Sequence, residues 1–565
     1  MEPSQNLKFV GLDPDFKGHT PRLSPYHFAC REVVAHAIKR WVFEPDDQWD
    51  ILHGYKRSIP DAHAAHQFFL KYDVEHHDII KDNIYEESLS EITEMFRPEV
   101  KLRPVHFTDL RWYPWNLSTN AERPFSGSRI LREALREARN QGLIDNEKVS
   151  FHNLFNHVFV RTRDDIHKIK DGLCFTGKPK ADRLYRINVH QKPAMTRFDE
   201  PDKVRSVFGV PKVHIMAEAM FMWPLFNQYH KHGKSPMLWG YETLNGGWYK
   251  LNAEYYQRFN GKRPIFSLDW SEFDMRAYFT VLDDIRSNWK TYFDFESGYI
   301  PTRTYPDSKA DPVRLNNLWD WTTYALKEME SVSPIGRVYK RLYAGIPSGA
   351  FTTQFMDSFY NGLMILSCLK ALKLPTSKDM FLKLMGDDSL FAPDCWISDY
   401  SKELALDAMT IEAKRRFNSK LSSKKSTVTD SINGASVLSY ENRNGLPWRN
   451  QNQLLAQLYL AKSYNDDYSK LKARAVGICF ADAGNHATVR DVCSDVFNFL
   501  DVQGIKANRA GLKQLWDPHT MDVESIEIDR FPSITEVTAR LTRPSFRSSL
   551  VQHQYWNDDH FLTEY

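Results

Sequence analysis

The hydrophobic and polar positions of this chain predict helices and strands in an irregular order. Residues 126–140 have helical spacing, with Ile130, Leu131 and Leu135 set among arginines and glutamates. Short apolar runs typical of buried strands occupy 265–268 and the two sides of Gly386. The order lacks the even strand–helix–strand spacing of a doubly wound sheet, and no internal repeat is visible. The pattern therefore predicts one body made of several subdomains.

Composition narrows the class of protein. The 565 residues are 42% hydrophobic and 26% charged, which argues against disorder, a collagen-like fibre or a coiled coil. No apolar run is long enough to cross a bilayer, and the first residues do not resemble a secretory signal, so no membrane association is expected. Six cysteines, none in a Cys-x-x-Cys pair, indicate a reducing compartment rather than a disulfide framework.

The distribution of charge is more informative than the net charge of +2. Residues 44–100 carry fourteen acidic and five basic side chains, whereas residues 161–213 carry thirteen basic and seven acidic ones. A second basic stretch runs from Lys414 to Lys425. One interpretation is that the two basic stretches form the walls of a channel for a polyanion. The other is that they are solvated helix faces. Charge alone does not decide between them.

One local pattern resembles a known phosphate site but lacks a necessary residue. The segment 172–179 resembles a phosphate-binding loop. Pro179, however, stands where the hydroxyl residue that holds Mg²⁺ belongs, and no strong strand precedes the segment. Nucleotide binding is therefore not expected there.

Two acidic residues flank the predicted strand 265–268 and the helix that follows it. Asp269 stands at the end of the strand, and Asp274 stands near the start of the helix. The positive end of a helix tolerates an acidic residue, so Asp274 taken alone is explained as a residue of the first turn.

A second pair of acids lies in a predicted β-hairpin. Apolar runs flank Gly386 and Asp387, and glycine accepts the positive φ that such a tight turn needs. Asp388 follows at once, and adjacent like charges near an apolar core are costly unless a cation lies between them. A lone Gly-Asp-Asp triplet is nevertheless common by chance.

A third segment places polar residues on one side of an apolar helix. Ser348 and Gly349 form a turn that opens the helix. Thr353, Asp357 and Asn361 recur at every fourth position, so they form one stripe along it. Taken alone, this stripe is equally typical of a solvated surface.

The order of the three segments points to nucleotidyl transfer assisted by two metal ions. Mg²⁺ prefers carboxylate oxygens and keeps water and phosphate oxygens as further ligands. Asp269 and Asp387 can each reach both ions from neighbouring antiparallel strands, which lie about 5 Å apart. Such ions activate a hydroxyl nucleophile and neutralise a departing pyrophosphate.

At these residues the sequence resembles the RNA-dependent RNA polymerases of the partitivirus family, with the picobirnavirus enzymes as near relatives. Motifs A, B and C of that family match residues 269–274, the segment from Ser348 to Asn361, and residues 386–389. Weaker matches cover motif G at 115–122, motif F at 191–209, motif D at 421–426 and motif E at 437–443. Recognisable matches therefore run from about Trp115 to Arg449, and the first and last hundred residues match no motif.

The resemblance implies an α+β protein with the closed right-hand polymerase fold of fingers, palm and thumb. The palm would be an antiparallel sheet backed by helices. The division it implies is 1–110 for an N-terminal extension and fingertips, 111–262 for the fingers, 263–292 for the first part of the palm, 293–336 for a fingers insertion, 337–446 for the rest of the palm, and 447–565 for the thumb and a C-terminal tail. The aromatic residues at 555–561 are expected to pack on the thumb, with a cover over the product exit as the alternative.

The resemblance also implies a role for each matching residue. Asp269, Asp387 and Asp388 would be the metal ligands, and Lys425 would protonate pyrophosphate, with Lys424 as the fallback. Lys203 and Arg205 would bind the triphosphate, with Arg197 as a further candidate. Nucleotide and ribose recognition is assigned to Asp274, Ser348, Gly349, Thr353, Asp357 and Asn361.

The implied cofactor is a pair of Mg²⁺ ions, with Mn²⁺ able to substitute. The implied partners are RNA template and product, ribonucleoside triphosphates and the viral capsid protein, without DNA or membrane. The implied location is the virion interior and the host cytoplasm. A reverse transcriptase is the first alternative, disfavoured by Asp274 and by Met385 where those enzymes usually carry tyrosine. An inactive, polymerase-like RNA-binding protein is the second, opposed by the intact acids.

Overall fold

The computed structural model describes residues 5–16, 18, 23–58, 61–172, 184–232, 235–259, 263–307, 309–462, 464–513, 515, 525–542 and 555–563. The segment that resembles a phosphate-binding loop lies, from residue 173 onward, outside these described residues.

Strands are short and occur along most of the described chain. They are β1 (Leu7–Leu12), β2 (Tyr55–Arg57), β3 (Ile187–Pro193), β4 (Met195–Arg197), β5 (Val204–Gly209), β6 (Ile265–Leu268), β7 (Trp270–Ser271), β8 (Ser331–Val332), β9 (Arg337–Arg341), β10 (Phe381–Met385), β11 (Asp388–Ala392), β12 (Lys420–Leu421), β13 (Thr427–Thr429), β14 (Ser436–Val437), β15 (Tyr440–Arg443) and β16 (Leu446–Trp448).

Helices make up the larger part of the structure. They are α1 (His27–Trp41), α2 (Pro45–His53), α3 (Ala62–Phe69), α4 (Asn83–Met95), α5 (Arg129–Asn140), α6 (Phe155–Lys170), α7 (Lys212–His232), α8 (Gly247–Arg258), α9 (Phe279–Lys290), α10 (Pro312–Glu328), α11 (Thr353–Ala371), α12 (Asp399–Phe417), α13 (Gln451–Tyr459), α14 (Tyr468–Ala481), α15 (Ala487–Val502), α16 (Ala510–Lys513) and α17 (Ile534–Thr542). Among the helices of the described residues, none combines the length and apolarity needed to cross a bilayer.

The central sheet has the strand order β10-β11-β6-β13, and every neighbouring pair is antiparallel. All four residues of β6 are buried, as expected for a strand covered on both faces. Helix α11 packs against β10 and also contacts α4, α9 and α12. The prediction of an α+β protein with an antiparallel sheet backed by helices is therefore confirmed.

A second sheet has the order β1-β9-β8-β3-β5, in which β3 and β8 run parallel and the other pairs are antiparallel. Strands β3 and β5 come from the basic stretch 161–213. Their pairing places Lys192 directly opposite Arg205. The pairing thus sets two cations side by side in this sheet, which is called the basic sheet below.

The N-terminal helices pack far from their neighbours in sequence. Helices α1 and α2 share a hydrophobic core with α13, α14 and α15, separate from the main core. The chain then returns to the neighbourhood of the basic sheet. There β2 pairs with β4, the strand that lies between β3 and β5 in the sequence. Arg57 in β2 bridges the two parts, because it donates from Nε to the carbonyl oxygen of Leu460 at 3.1 Å and from Nη1 to that of Pro193 at 3.3 Å.

The described C-terminal residues 555–563 do not pack where the sequence suggested. Trp556 and Phe561 belong to the main hydrophobic core, together with Trp223 of α7. They are absent from the core formed by α13–α15. The expectation that these aromatic residues pack with the helices expected to form the thumb is therefore wrong for Trp556 and Phe561, because both rings pack against Trp223 of α7 instead.

Candidate active site

The register of the central sheet gathers the predicted acids. Asp269 follows β6, whose last residue Leu268 pairs with Ser389, so Asp269 lies beside Asp388 on the neighbouring strand. Met385 pairs with Asp388, which leaves Gly386 and Asp387 as a two-residue turn. Gly386 has a φ of +66°, as predicted for this turn.

Side chains of helix α11 hold this turn by hydrogen bonds. Asn361, which is completely buried, donates from Nδ2 to the carbonyl oxygens of Gly386 and Asp387, each at 3.0 Å. Its side-chain oxygen accepts a bond from the indole Nε1 of Trp270 at 2.9 Å. The hydroxyl oxygen of Ser358 accepts a bond from the backbone N of Gly386 at 2.7 Å. The turn and the residue after Asp269 are therefore fixed to the same helix.

The backbone of Asp269 is held by a second segment. Its N–H donates to the hydroxyl oxygen of Ser426 at 3.0 Å, and its carbonyl oxygen accepts from the backbone N of Ser422 at 2.9 Å. Lys425 lies between these two residues and is exposed. The loop that orients Asp269 thus also carries the predicted general acid.

A cavity of about 650 Å³, called the basic cavity below, lies where β6 ends and the β10–β11 turn begins. Its acidic lining residues are Asp269, Glu272, Asp274 and Asp387. Its cationic lining residues come from four separate parts of the chain: Lys71, Lys192, Lys203, Arg205 and Lys425. Lys71 had no signal in the sequence, because it lies in the turn after α3 and is brought to this cavity by the packing of α3 against β5.

A second cavity, of about 660 Å³ and called the aromatic cavity below, lies on the α11 side of the acids. It shares Asp274, Ser348 and Asp387 with the basic cavity. Gly349, Thr353 and Asp357 also line it. Its aromatic lining residues are Tyr113, Trp115, Phe151, Phe226, Trp239, Phe351, Phe355 and Tyr555. The two cavities meet at the catalytic candidates.

The negative charges of Asp269, Asp387 and Asp388 repel one another. Burial and the neighbouring charge of Asp269 raise the pKa of Asp387, while Arg205 and Lys203 oppose the rise. Burial, followed by the charges of Asp387 and Asp269, raises the pKa of Asp388 to about 7, although the backbone N–H of Leu438 opposes this. Positive charge placed among these groups would remove the repulsion.

The cations that line the basic cavity also repel one another. Burial lowers the pKa of Lys203, and the positive charges of Arg205, Lys425 and Lys71 lower it further. Asp269 acts in the opposite direction. A polyanion bound in the basic cavity would therefore relieve repulsion among these cations.

Asp274 and Asp357 form a buried pair of carboxyl groups joined by a side-chain hydrogen bond. Burial, followed by the charge of Asp387, raises the pKa of Asp274 to about 7, although the hydrogen bond from Asp357 opposes the rise. Burial, followed by the charges of Asp274 and Asp387, raises the pKa of Asp357 well above its usual value. Two carboxyl groups can share a hydrogen bond only when one holds a proton. Asp357 is 5% exposed and the more deeply buried partner, so the proton is assigned to it.

The donor set suits a hard divalent ion that substrate helps to bind. Among the described residues, no three Asp, Glu, His or Cys side chains form a group that could hold a metal ion alone. Mg²⁺ bound with phosphate substrates commonly takes only one or two carboxylates and completes its shell with water and phosphate oxygens. Asp269 and Asp387, which repel each other across one cavity, match that pattern.

The remaining predicted residues differ in their surroundings. Arg197 lies outside both cavities, where it donates to Asp50 at 2.7 Å and stacks over Tyr55. Asp388 does not line either cavity. The Thr353 hydroxyl donates to the carbonyl oxygen of Pro347 at 3.0 Å. Asn361 is buried beneath the turn rather than open to a ligand.

Gly349 approaches the basic sheet closely. A Cβ atom placed on Gly349 would lie 1.8 Å from the carbonyl oxygen of Phe208 in β5. Only a residue without a side chain fits there. The turn before α11 is thus in direct contact with the strand that carries Arg205.

The comparisons with known proteins agree on one family. Residues 190–478 match the family model described as viral RNA-dependent RNA polymerase. The RNA-directed RNA polymerase of White clover cryptic virus 1 (isolate Boccardo/2004) is 34% identical over 540 residues, covering 89% of this chain and 87% of that protein. The RNA-directed RNA polymerase of Atkinsonella hypoxylon virus (isolate 2H) is 26% identical over 491 residues, covering 78% of this chain and 71% of that protein.

A solved structure is similar in fold. The 3Dpol RNA-dependent RNA polymerase of a sicinivirus superposes with a TM-score of 0.58 at 14% identity, covering 89% of this chain and 96% of that one. At this identity the likeness concerns the fold alone. It confirms the prediction of a right-hand polymerase architecture.

Proposed function

The chain belongs to the viral RNA-dependent RNA polymerases, and we propose that the acids between its two cavities are the catalytic centre of that activity. It is an RNA-directed RNA polymerase of a double-stranded RNA virus. The observation that carries the proposal is the opposition of charges in the basic cavity. Asp269, Asp274 and Asp387 line a cavity of about 650 Å³ together with five basic side chains.

Asp269 and Asp387 would be the principal ligands for two Mg²⁺ ions, which Mn²⁺ could replace, with Asp388 in support. When bound, such ions would supply the positive charge that activates a 3′-hydroxyl and neutralises a leaving pyrophosphate. The bond that Asn361 donates to the carbonyl oxygen of Asp387, and the bond that the Ser426 hydroxyl accepts from the N–H of Asp269, hold the two acids in place before substrate arrives. Preorganisation of this kind is the main contribution that a protein makes to phosphoryl transfer.

The cations of the basic cavity bind the triphosphate. Arg205 offers a planar fork that can donate two parallel bonds to phosphate oxygens, and Lys203 adds a point charge. Lys425 stands at the mouth of the same cavity and is the candidate that gives a proton to the departing pyrophosphate. Its position on the loop that holds Asp269 keeps it close to the reacting phosphate.

The Asp274–Asp357 pair selects ribose. Asp274 lines both cavities next to Ser348, so its carboxylate can accept a bond from a ribose hydroxyl. The proton on Asp357 holds Asp274 in one orientation. A deoxyribonucleotide leaves that buried acceptor without a partner, which costs about 1–3 kcal/mol.

The test is primer-independent extension on single-stranded RNA with ribonucleotides and Mg²⁺. Asp387→Asn should abolish incorporation and leave the melting temperature close to that of the wild type. Asp379→Asn is the matched control, because Asp379 is exposed just before the other end of the same hairpin. Incorporation by Asp387→Asn at the wild-type rate would refute the assignment. Parallel reactions with deoxyribonucleotides address the reverse-transcriptase alternative.

The resemblance to partitivirus enzymes extends the proposal to the capsid protein as a partner and to the virion interior and host cytoplasm as the location. Co-sedimentation of the polymerase with purified capsids tests this part separately. The catalytic assignment does not depend on its result.

A further inference from the structure

The C-terminal segment 555–563 is built firmly into the part of the structure that carries the aromatic cavity. The Trp556 ring stacks on Phe561 with centroids 4.1 Å apart, and both rings pack against Trp223 of α7 at 5.1 and 5.2 Å. His560 shares a hydrogen bond of 2.8 Å with Asp109. These contacts fix a segment that lies far along the chain from the residues it touches.

The anchor determines where Tyr555 lies. The indole Nε1 of Trp223 donates to the carbonyl oxygen of Tyr555 at 3.0 Å. The Tyr555 ring packs edge to face against His230 at 5.0 Å and against Tyr113 at 6.0 Å. Tyr555 thereby forms part of the wall of the aromatic cavity, which leads to Asp387.

The chemistry of this cavity differs from that of the basic cavity. Tyr555, Tyr113, Trp115, Trp239 and Phe351 line it with aromatic rings, and Lys212 is a lysine of its wall. A triphosphate needs cations, which the basic cavity supplies. Unpaired bases of single-stranded RNA stack on aromatic side chains, and such stacking contributes to the affinity for RNA.

We propose that Tyr555 is a template-positioning residue, whose ring stacks on an unpaired base of the single-stranded RNA that approaches Asp387 through the aromatic cavity. This inference rests on the proposed function. It adds a segment outside the matched family region, which ends at residue 478, to the active site. The C-terminal anchor of Trp556 and Phe561 exists, on this account, to hold that ring in place.

The test compares Tyr555→Ala, Tyr555→Phe and Tyr555→Trp with the wild type. The first readout is the Kd of a fluorescently labelled single-stranded RNA, measured by anisotropy without nucleotides or Mg²⁺. Tyr555→Ala should weaken binding by about five- to hundredfold, whereas the two aromatic variants should bind within about threefold of wild type. In extension assays, Tyr555→Ala should raise the KM for template and leave the KM for nucleotides unchanged.

Leu562→Ala is the matched control, because Leu562 belongs to the same segment, is 53% exposed and does not line the cavity. Its RNA affinity should equal that of the wild type. Trp556→Ala should reduce both the melting temperature and the RNA affinity, since it removes the anchor. If Tyr555→Ala binds RNA as tightly as an active wild-type enzyme, the inference is overturned and the proposed function stands. A wild type that neither binds RNA nor extends it overturns the proposed function itself.

Discussion

Asn361 joins the helix α11 to the catalytic turn by donating to the carbonyl oxygen of Asp387 at 3.0 Å, from the same amide that bonds Gly386. This side chain therefore orients a candidate metal ligand without facing the substrate. Its oxygen also accepts the indole proton of Trp270, which follows Asp269. One buried amide thus sets the relative position of the two principal acids.

Substitutions of Asn361 should separate its donor and acceptor roles. Asn361→Ala leaves two carbonyl oxygens and one indole N–H unpaired, so we expect at least about 2 kcal/mol lower stability in urea unfolding. Asn361→Asp keeps the acceptor for Trp270 but loses the donors to the turn. Its kcat should fall more than its KM for nucleotides rises. An unchanged kcat in both variants would show that the turn is held by other contacts.

The two arginines predicted for the triphosphate should differ. Arg205 lines the basic cavity, whereas Arg197 is paired with Asp50 outside it. Arg205→Gln should raise the KM for nucleotides at least about tenfold, the equivalent of about 1.4 kcal/mol. Arg197→Gln removes a surface ion pair worth at most about 1 kcal/mol of stability and should leave that KM unchanged. Equal effects on KM would contradict the geometry.

Gly349 should tolerate no side chain. Gly349→Ala places its Cβ 1.8 Å from the backbone oxygen of Phe208, so the turn before α11 must move. We expect a loss of about 1–3 kcal/mol in stability and a large loss of activity. Gly127→Ala is the control, since a Cβ there meets its nearest atom at an ordinary 3.7 Å. Wild-type extension rates in Gly349→Ala would mean that β5 yields easily.

The shared proton of Asp274 and Asp357 predicts a dependence of stability on pH. Because the pKa of both groups is raised in the folded state, the folded protein binds more protons than the unfolded chain above about pH 4. The free energy of unfolding should therefore fall as the pH rises, until the pH has passed the raised pKa of both groups, which for Asp274 is about 7.

Asp357→Asn supplies a permanent donor to Asp274 and should flatten this decline. Melting temperatures between about pH 5 and 8, measured without divalent ions, provide the comparison. Parallel pH profiles for the variant and the wild type would count against a shared proton.

A buried ion pair positions the start of α11. Glu218 accepts bonds from the backbone N of Thr352 at 3.2 Å and from its hydroxyl at 2.8 Å, and it lies 3.6 Å from Arg286. All three side chains are buried. Glu218→Ala leaves the Arg286 charge without its partner, and we expect a loss of about 3–5 kcal/mol in urea unfolding.

Glu328→Ala is the comparison for Glu218→Ala. Glu328 pairs with Lys340 at 2.5 Å but is about one-third exposed. Its loss should cost no more than about 1 kcal/mol. Similar costs for the two substitutions would show that burial of the Glu218–Arg286 pair has no special effect.

Local patterns in the sequence predicted the elements that carry the acids, and distant packing decided the rest. The Gly386–Asp387 turn was predictable because its signal lies within a few neighbouring residues. The stripe of Thr353, Asp357 and Asn361 was predicted, but its burial was not, since burial depends on α4, α9 and α12. Lys71 gave no sequence signal, because its place in the basic cavity comes from contacts between distant segments.

Arg57 has a consequence for how RNA reaches the acids. By bonding both Pro193 and Leu460, it fastens the N-terminal part of the chain across the gap between the basic sheet and the last helices. Any movement that separates the basic sheet from the end of α13 must break at least one of these two bonds. A template that entered by such a movement would therefore have to displace the Arg57 guanidinium first.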